Sequence, residues 1–137
     1  MQGMRLRGQG ITVKDSTARY NGEDGIKIAG ENPNSPTKVQ FEGTVLSHHN
    51  KRYGIEVDEG KGAGTNKFAE VKVVGMLSTF LNLIGLSVQP DANMKNPNYV
   101  TGFTVEDGGS FSSCQNTNFD IKNKGNVNFV DGGTDGD

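Results

Sequence analysis

Residues 39–60, "VQFEGTVLSHHNKRYGIEVDEG", decide how the chain is read. The stretch begins and ends with alternating apolar residues, Val39 and Phe41, then Ile55 and Val57. Between them stand a small residue (Ser47), an Asn (Asn50) and a Gly (Gly54). Period-2 alternation marks a strand with one buried face. The question is whether the polar centre, with its two histidines and basic pair, is a chemical site or one turn of a repeat.

The rest of the chain answers for a repeat. "ITVKDSTARYNGEDGIKIAG" (11–30), "VKVVGMLSTFLNLIGLSVQP" (71–90) and "FTVEDGGSFSSCQNTNFDIKNKG" (103–125) have the same order of features. The first apolar pairs are Ile11/Val13, Val39/Phe41, Val71/Val73 and Phe103/Val105. The second are Ile26/Ile28, Ile55/Val57, Leu86/Val88 and Phe119/Ile121, and a partial fifth unit offers Val127/Phe129. Within a unit the two pairs lie 15, 16, 15 and 16 residues apart, while successive units start 28, 32, 32 and 24 residues apart. The variation therefore sits in connecting loops. Strand pairs recurring at this interval predict stacked coils rather than hairpins. The expected fold is all-β, a right-handed parallel β-helix of four coils and part of a fifth, with a third short strand inside each gap. Residues 1–9 read as a lead-in, 10–131 as the β-helix and 132–137 as a flexible Gly/Asp-rich tail.

Other columns follow from stacking. Asn21, Asn50, Asn82 and Asn116 recur before the second strand, where Asn tolerates left-handed backbone and stacked amides can bond along the axis. Three residues earlier stand Ala18, Ser47, Thr79 and Ser113. Gly25, Gly54 and Gly85, with Asn118 in the fourth unit, read as corner residues with access to positive φ. One segment has a rival reading. "MLSTFLNLI" (76–84) places Leu77, Phe80, Leu81 and Ile84 at helical spacing, although nine residues between two glycines make only a marginal helix.

Composition agrees with a narrow core and many turns. Only 32% of the 137 residues are hydrophobic, with 20 Gly and no Trp, which is thin for an α/β domain. The net charge of −2 includes no concentrated basic face, so neither a duplex nucleic-acid surface nor an anionic-membrane surface is expected. Cys114 is the sole cysteine, so no intrachain disulfide can form. "MQGMRLRGQG" lacks the apolar run of a signal peptide, and "FLNLIGL" is too short to span a bilayer.

Alternation also predicts the outward side chains. On the second strand these are Lys27, Glu56, Ser87 and Asp120; on the first, Thr12, Gln40, Lys72, Thr104 and Asn128. Both columns read as exposed sheet faces, with Lys27 and Glu56 one coil apart and able to pair. His48 and His49 are expected on opposite faces, as neighbours in a strand are, so no metal site and no cofactor is expected. Glu42 and Glu106 fall at equivalent corners two coils apart, about 10 Å by the stacking distance. That is near the carboxylate separation of inverting glycosidases, although solvated turn carboxylates are the simpler reading. The connecting segments 29–38, 58–68 and 89–99 read as leaving one edge, a place where solenoids build binding walls.

An alternating triplet, an Asn and then "GIKI", "GIEV", "GLSV" or "NFDI" resembles the repeats of the pectin-lyase-like right-handed β-helix superfamily, over roughly residues 10–131. That group includes polysaccharide lyases, polygalacturonases, epimerases and phage tailspikes. The resemblance implies a groove over the second strand and its preceding turn. On this chain it implies Asp24, Arg52, Glu56 and Asp120 as candidates for catalysis. Glu23, Lys27, Tyr53 and Ser87 are then candidates for substrate binding. No "GHG", "RxK" or "DPHE" motif accompanies them.

The reading favoured is a module of a phage tailspike-like or appendage protein, structural or binding a surface polysaccharide. It implies an extracellular or virion location. Without an evident cap, the coils are expected to belong to a homotrimer or a longer chain. The alternatives are a catalytic fragment of a polysaccharide lyase, hydrolase or epimerase, and an adhesin or autotransporter passenger segment.

Overall fold

The computed structural model describes residues 1–31, 35–58, 69–89, 101–123, 127–131 and 134–136. Every regular element among them is a strand. They are β1 (Met4–Leu6), β2 (Ile11–Lys14), β3 (Thr17–Arg19), β4 (Ile26–Ala29), β5 (Thr37–Glu42), β6 (Thr44–His48), β7 (Tyr53–Asp58) and β8 (Ala69–Val73). After these come β9 (Met76–Phe80), β10 (Ile84–Gln89), β11 (Thr101–Val105), β12 (Ser110–Cys114), β13 (Phe119–Asn123), β14 (Val127–Asp131) and β15 (Thr134–Gly136).

The strands form three parallel five-stranded sheets, β1-β4-β7-β10-β13, β2-β5-β8-β11-β14 and β3-β6-β9-β12-β15. Each strand thus pairs with the strand three further along the chain, and the backbone visits the sheets in fixed rotation. This is a β-solenoid. Residues 4–6, inside the lead-in, form β1 and pair with β4, and residues 134–136, inside the tail, form β15 and pair with β12. The segment with helical spacing is not a helix: it comprises strand β9, the left-handed corner at Leu81 and the first residue of β10, and β9 is in register with β6, with Leu77 inside, opposite Val45.

The core lies between the three sheets. Ile26, Ile55 and Leu86 stack on the first sheet, Val39, Val71 and Phe103 on the second, and Val45, Leu77 and Phe111 on the third. All nine are buried. Phe103 and Phe111 meet edge to face, with ring centroids 5.2 Å apart. Each such side chain contributes about 1.5–3 kcal/mol relative to exposure. Stacking like on like is how a chain only one-third hydrophobic closes a core.

The turn from the third sheet to the first is a polar ladder. Asn50 Oδ1 accepts from the backbone N–H and Nδ2 of Asn21, at 3.1 and 2.8 Å. Asn82 Oδ1 accepts likewise from Asn50, at 3.0 and 2.9 Å, and Asn116 Oδ1 from Asn82, at 3.0 and 3.1 Å. Here the structure corrects the sequence. The left-handed residue is the one before each Asn, namely Tyr20, His49, Leu81 and Gln115, with φ of 54 to 55°. That bend aims the N–H of Asn21, Asn50 and Asn82 at the amide oxygen one layer on. Gly54 is not there for positive φ. A Cβ on it would lie 2.7 Å from both Asn82 Nδ2 and Gly85 O, so the position is reserved for the ladder itself. Gly25 is blocked in the same way by Ser47 and Asn50.

Two registers also differ from expectation. Phe119 pairs with Ile84, and Ile121 with Leu86, so Lys122 rather than Asp120 continues the column of Ser87. Phe129 pairs with Phe103, which sets Thr104 against Val130 rather than Asn128. A two-residue slip leaves every side chain on its expected face, so alternation cannot exclude it. Phe119, opposite the buried Ile84, is 53% exposed.

Candidate functional site

The turn after the Asn ladder and the strand it feeds carry most of the residues singled out from the sequence. Glu23 and Asp24 precede β4, and Arg52 precedes β7, which starts at Tyr53. Because β4 and β7 pair with Lys27 opposite Glu56, the ladder register delivers four charged groups to one place. Lys27 Nζ lies 2.9 Å from Glu56 Oε2. Arg52 reaches both carboxylates, with Nη2 3.2 Å from Glu56 Oε1 and 3.4 Å from Asp24 Oδ2. Its Nε is 3.2 Å from Asp24 Oδ1, an electrostatic contact without hydrogen-bond alignment. The Arg52 guanidinium also covers the ring of Tyr53, 4.7 Å from its centroid.

The structure therefore brings Asp24, Lys27, Arg52, Tyr53 and Glu56 together, but not on an exposed face. Asp24 is 0% and Glu56 1% exposed, and Ser87, next in the column, is buried too. The expected solvated column is a buried one here, since Lys27 and the half-exposed Arg52 close over the carboxylates. Burial pushes the Glu56 carboxyl above its ordinary range, and neighbouring Asp24 adds to this while Lys27 opposes it. A raised carboxyl is what a general acid needs. Here two carboxylates face two cations with no open approach, and the arrangement ties β4, β7 and their turns together.

The other candidates lie apart. Glu23 pairs with the N-terminal ammonium at 3.7 Å. Asp120 falls between the partners of Ile84 and Leu86, beside Gly85, and its side chain lies outside the described residues. Segments 58–68 and 89–99 lie almost wholly outside the described residues, and so does the centre of 29–38. Glu42 and Glu106 do share a column, through Val74. Among the described residues, no group of three or more His, Cys, Asp or Glu is placed to hold a metal ion.

A second locus was visible in the sequence only as a solvated face. Over β2, β5 and β8 a groove of about 260 Å³ is lined by Gly10, Ile11, Thr12, Lys38, Val39, Gln40, Glu70 and Lys72. Thr12, Gln40 and Lys72 form one row, and Lys38 and Glu70 are paired in the next. Lys38 Nζ and a Glu70 carboxylate oxygen are 3.4 Å apart, both half exposed. The row was legible from alternation, but the curvature that makes it concave was not.

Comparison with protein-family models, with curated proteins and with solved structures finds no match for this chain.

Proposed function

We propose that this chain is a right-handed, pectin-lyase-like β-helix module of four to five coils from a tailspike-like or other appendage protein. In this reading its function is to bind a surface polysaccharide. Handedness follows the strong preference of parallel crossovers. The observation that carries the binding reading is the groove over β2, β5 and β8. Its rows of Thr12, Gln40, Lys72, Lys38 and Glu70 offer hydrogen-bond donors and acceptors on a rigid sheet. At about 260 Å³ it falls below the usual volume of a small-molecule pocket, which suits one unit of a polymer lying along the solenoid. A glycan array with the purified chain tests this: binding to a polymeric glycan that Gln40→Ala with Lys72→Ala weakens supports it, and an array without signal refutes it. Sedimentation equilibrium tests the homotrimer that the appendage reading implies.

One observation favours a second reading. Asp24, Arg52 and Glu56 converge, as a lyase or hydrolase would require. Release of reducing or unsaturated ends from the bound glycan, lost in Glu56→Gln, would establish catalysis. Burial of both carboxylates favours the binding module.

A further inference from the structure

The corner between the third and first sheets carries side chains that neither the groove nor the charge cluster uses. His48 and His49 were expected on opposite faces, but the left-handed φ of 54° at His49 ends the strand alternation and swings its ring back. The two Nδ1 atoms lie 2.7 Å apart, so one ring donates to the other. His48 also stacks on Phe80, with planes 6° apart and centroids at 4.7 Å. His49 lies against Tyr20 at 5.0 Å, and Arg19 is 5.8 Å from the centre of the Tyr20 ring. Tyr20 is nonetheless 68% exposed, and His49 is exposed as well. The ladder bonds from the backbone N–H of Asn21 and Asn50 hold the chain beside these rings.

The charge here is one-sided. The four corner segments 17–22, 46–51, 78–83 and 112–117 contain Arg19, His48, His49 and Lys51, and no Asp or Glu, in a chain with 16 acidic residues. Among the described residues Arg19 makes no ion pair, and its charge, with that of His49, adds to burial in holding His48 below the ordinary histidine range. An exposed tyrosine ring beside a cation that makes no ion pair has a definite complement: a ligand with apolar C–H groups for the ring and an anionic substituent for the cation.

We propose that the Arg19–Tyr20–His48–His49 corner is a stacking subsite for an anionic sugar unit, separate from the groove; this rests on the glycan-binding reading. The acid group bonds Arg19 and the outer imidazole nitrogens, while the sugar face lies on Tyr20. Lys51 lies on the same rim and adds charge without stacking.

The test follows the histidine ring proton signals by NMR during titration with a hexauronate, the matched neutral hexaose and a single-stranded thymidine dodecamer. The expected result is that hexauronate shifts the His48 and His49 signals. Tyr20→Ala and Arg19→Gln each weaken that response at least tenfold, while Gln40→Ala with Lys72→Ala changes it less than threefold. Tyr20 and Arg19 are surface residues, and unchanged urea midpoints confirm that their variants fold. Equal response to the neutral hexaose, tighter binding of the thymidine strand, or indifference to Tyr20→Ala would overturn the subsite. If hexauronate binds and only the groove variant loses it, the subsite falls and the glycan reading stands. If no arrayed glycan and neither hexamer binds, the glycan reading falls and takes the subsite with it.

Discussion

Replacing Asn50 by Ala should cost about four times as much as replacing Asn21, although both belong to one ladder. The Asn50 Oδ1 accepts two bonds from Asn21, and its Nδ2 faces Asn82 Oδ1, Ser47 Oγ and the Ala18 carbonyl at 2.9 to 3.3 Å. Two amide hydrogens serve those three acceptors, so the side chain accounts for about four bonds. At a net contribution of about 1 kcal/mol each, Asn50→Ala should cost about 4 kcal/mol. The Asn21 side chain donates one described bond, to Asn50, and its loss should cost about 1 kcal/mol. Urea denaturation followed by circular dichroism measures both, with an unchanged m-value showing that the native state alone was affected. Asn50→Asp sharpens the test. It keeps the acceptor but turns an oxygen toward Asn82 Oδ1, so it should be at least as damaging as Ala at pH 7 and recover when acid protonates it. Equal costs for Asn50→Ala and Asn21→Ala would refute the ladder as a source of stability.

Three further outcomes are expected. Gly54→Ala should lower stability by about 2–3 kcal/mol, because the added Cβ meets backbone and the Asn82 amide. Gly108→Ala, in open space at φ +82°, should cost about 1–2 kcal/mol of left-handed strain alone; similar urea midpoints for the two would contradict the close-approach argument. Lys27→Met should cost about 3 kcal/mol at pH 7 by leaving Glu56 buried with Arg52 as its remaining cationic partner. The folded pKa of Glu56 is raised, so the native state binds a proton that the unfolded chain lacks between its ordinary carboxyl value, 4.5, and the raised one. Stability from this group therefore rises as pH falls through that window, and the Lys27→Met penalty should shrink there. A penalty independent of pH would exclude Glu56 as its origin. His48 acts in the opposite sense: its folded pKa is depressed, so its contribution is complete above the unfolded value of 6.5 and is lost as pH falls below it. Melts of wild type and His48→Phe across pH 7 to 5 should diverge, and parallel curves would count against a depressed His48 imidazole.

Most of the solenoid was legible in the sequence because its cause is local. Which face Val39, Phe41, Ile55 and Val57 present depends on period-2 geometry alone, and stacking turns a repeated strand into a sheet. The Asn column was visible for the same reason, since one position per layer must bond along the axis. What alternation leaves open is register in steps of two. Only packing around β10 and β13 sets Phe119 against Ile84 and removes Asp120 from the Ser87 column.

The candidate site divides in the same way. Lys27 opposite Glu56 could be read from spacing, as could the Thr12, Gln40 and Lys72 row. Burial of Glu56 and Asp24 could not, because it depends on Arg52 folding back from a turn onto two neighbouring layers. The His48–His49 contact depended on a single backbone angle at a corner, and a strand pattern carries no information about where the strand stops. Sequence by itself determined faces, layers and the ladder, because those follow from nearest-neighbour geometry. Tertiary structure alone decided register, burial of charge and the meeting of rings, because these depend on contacts between layers, as in Arg52 with Asp24 and His48 with Phe80, and on where the backbone bends at a corner.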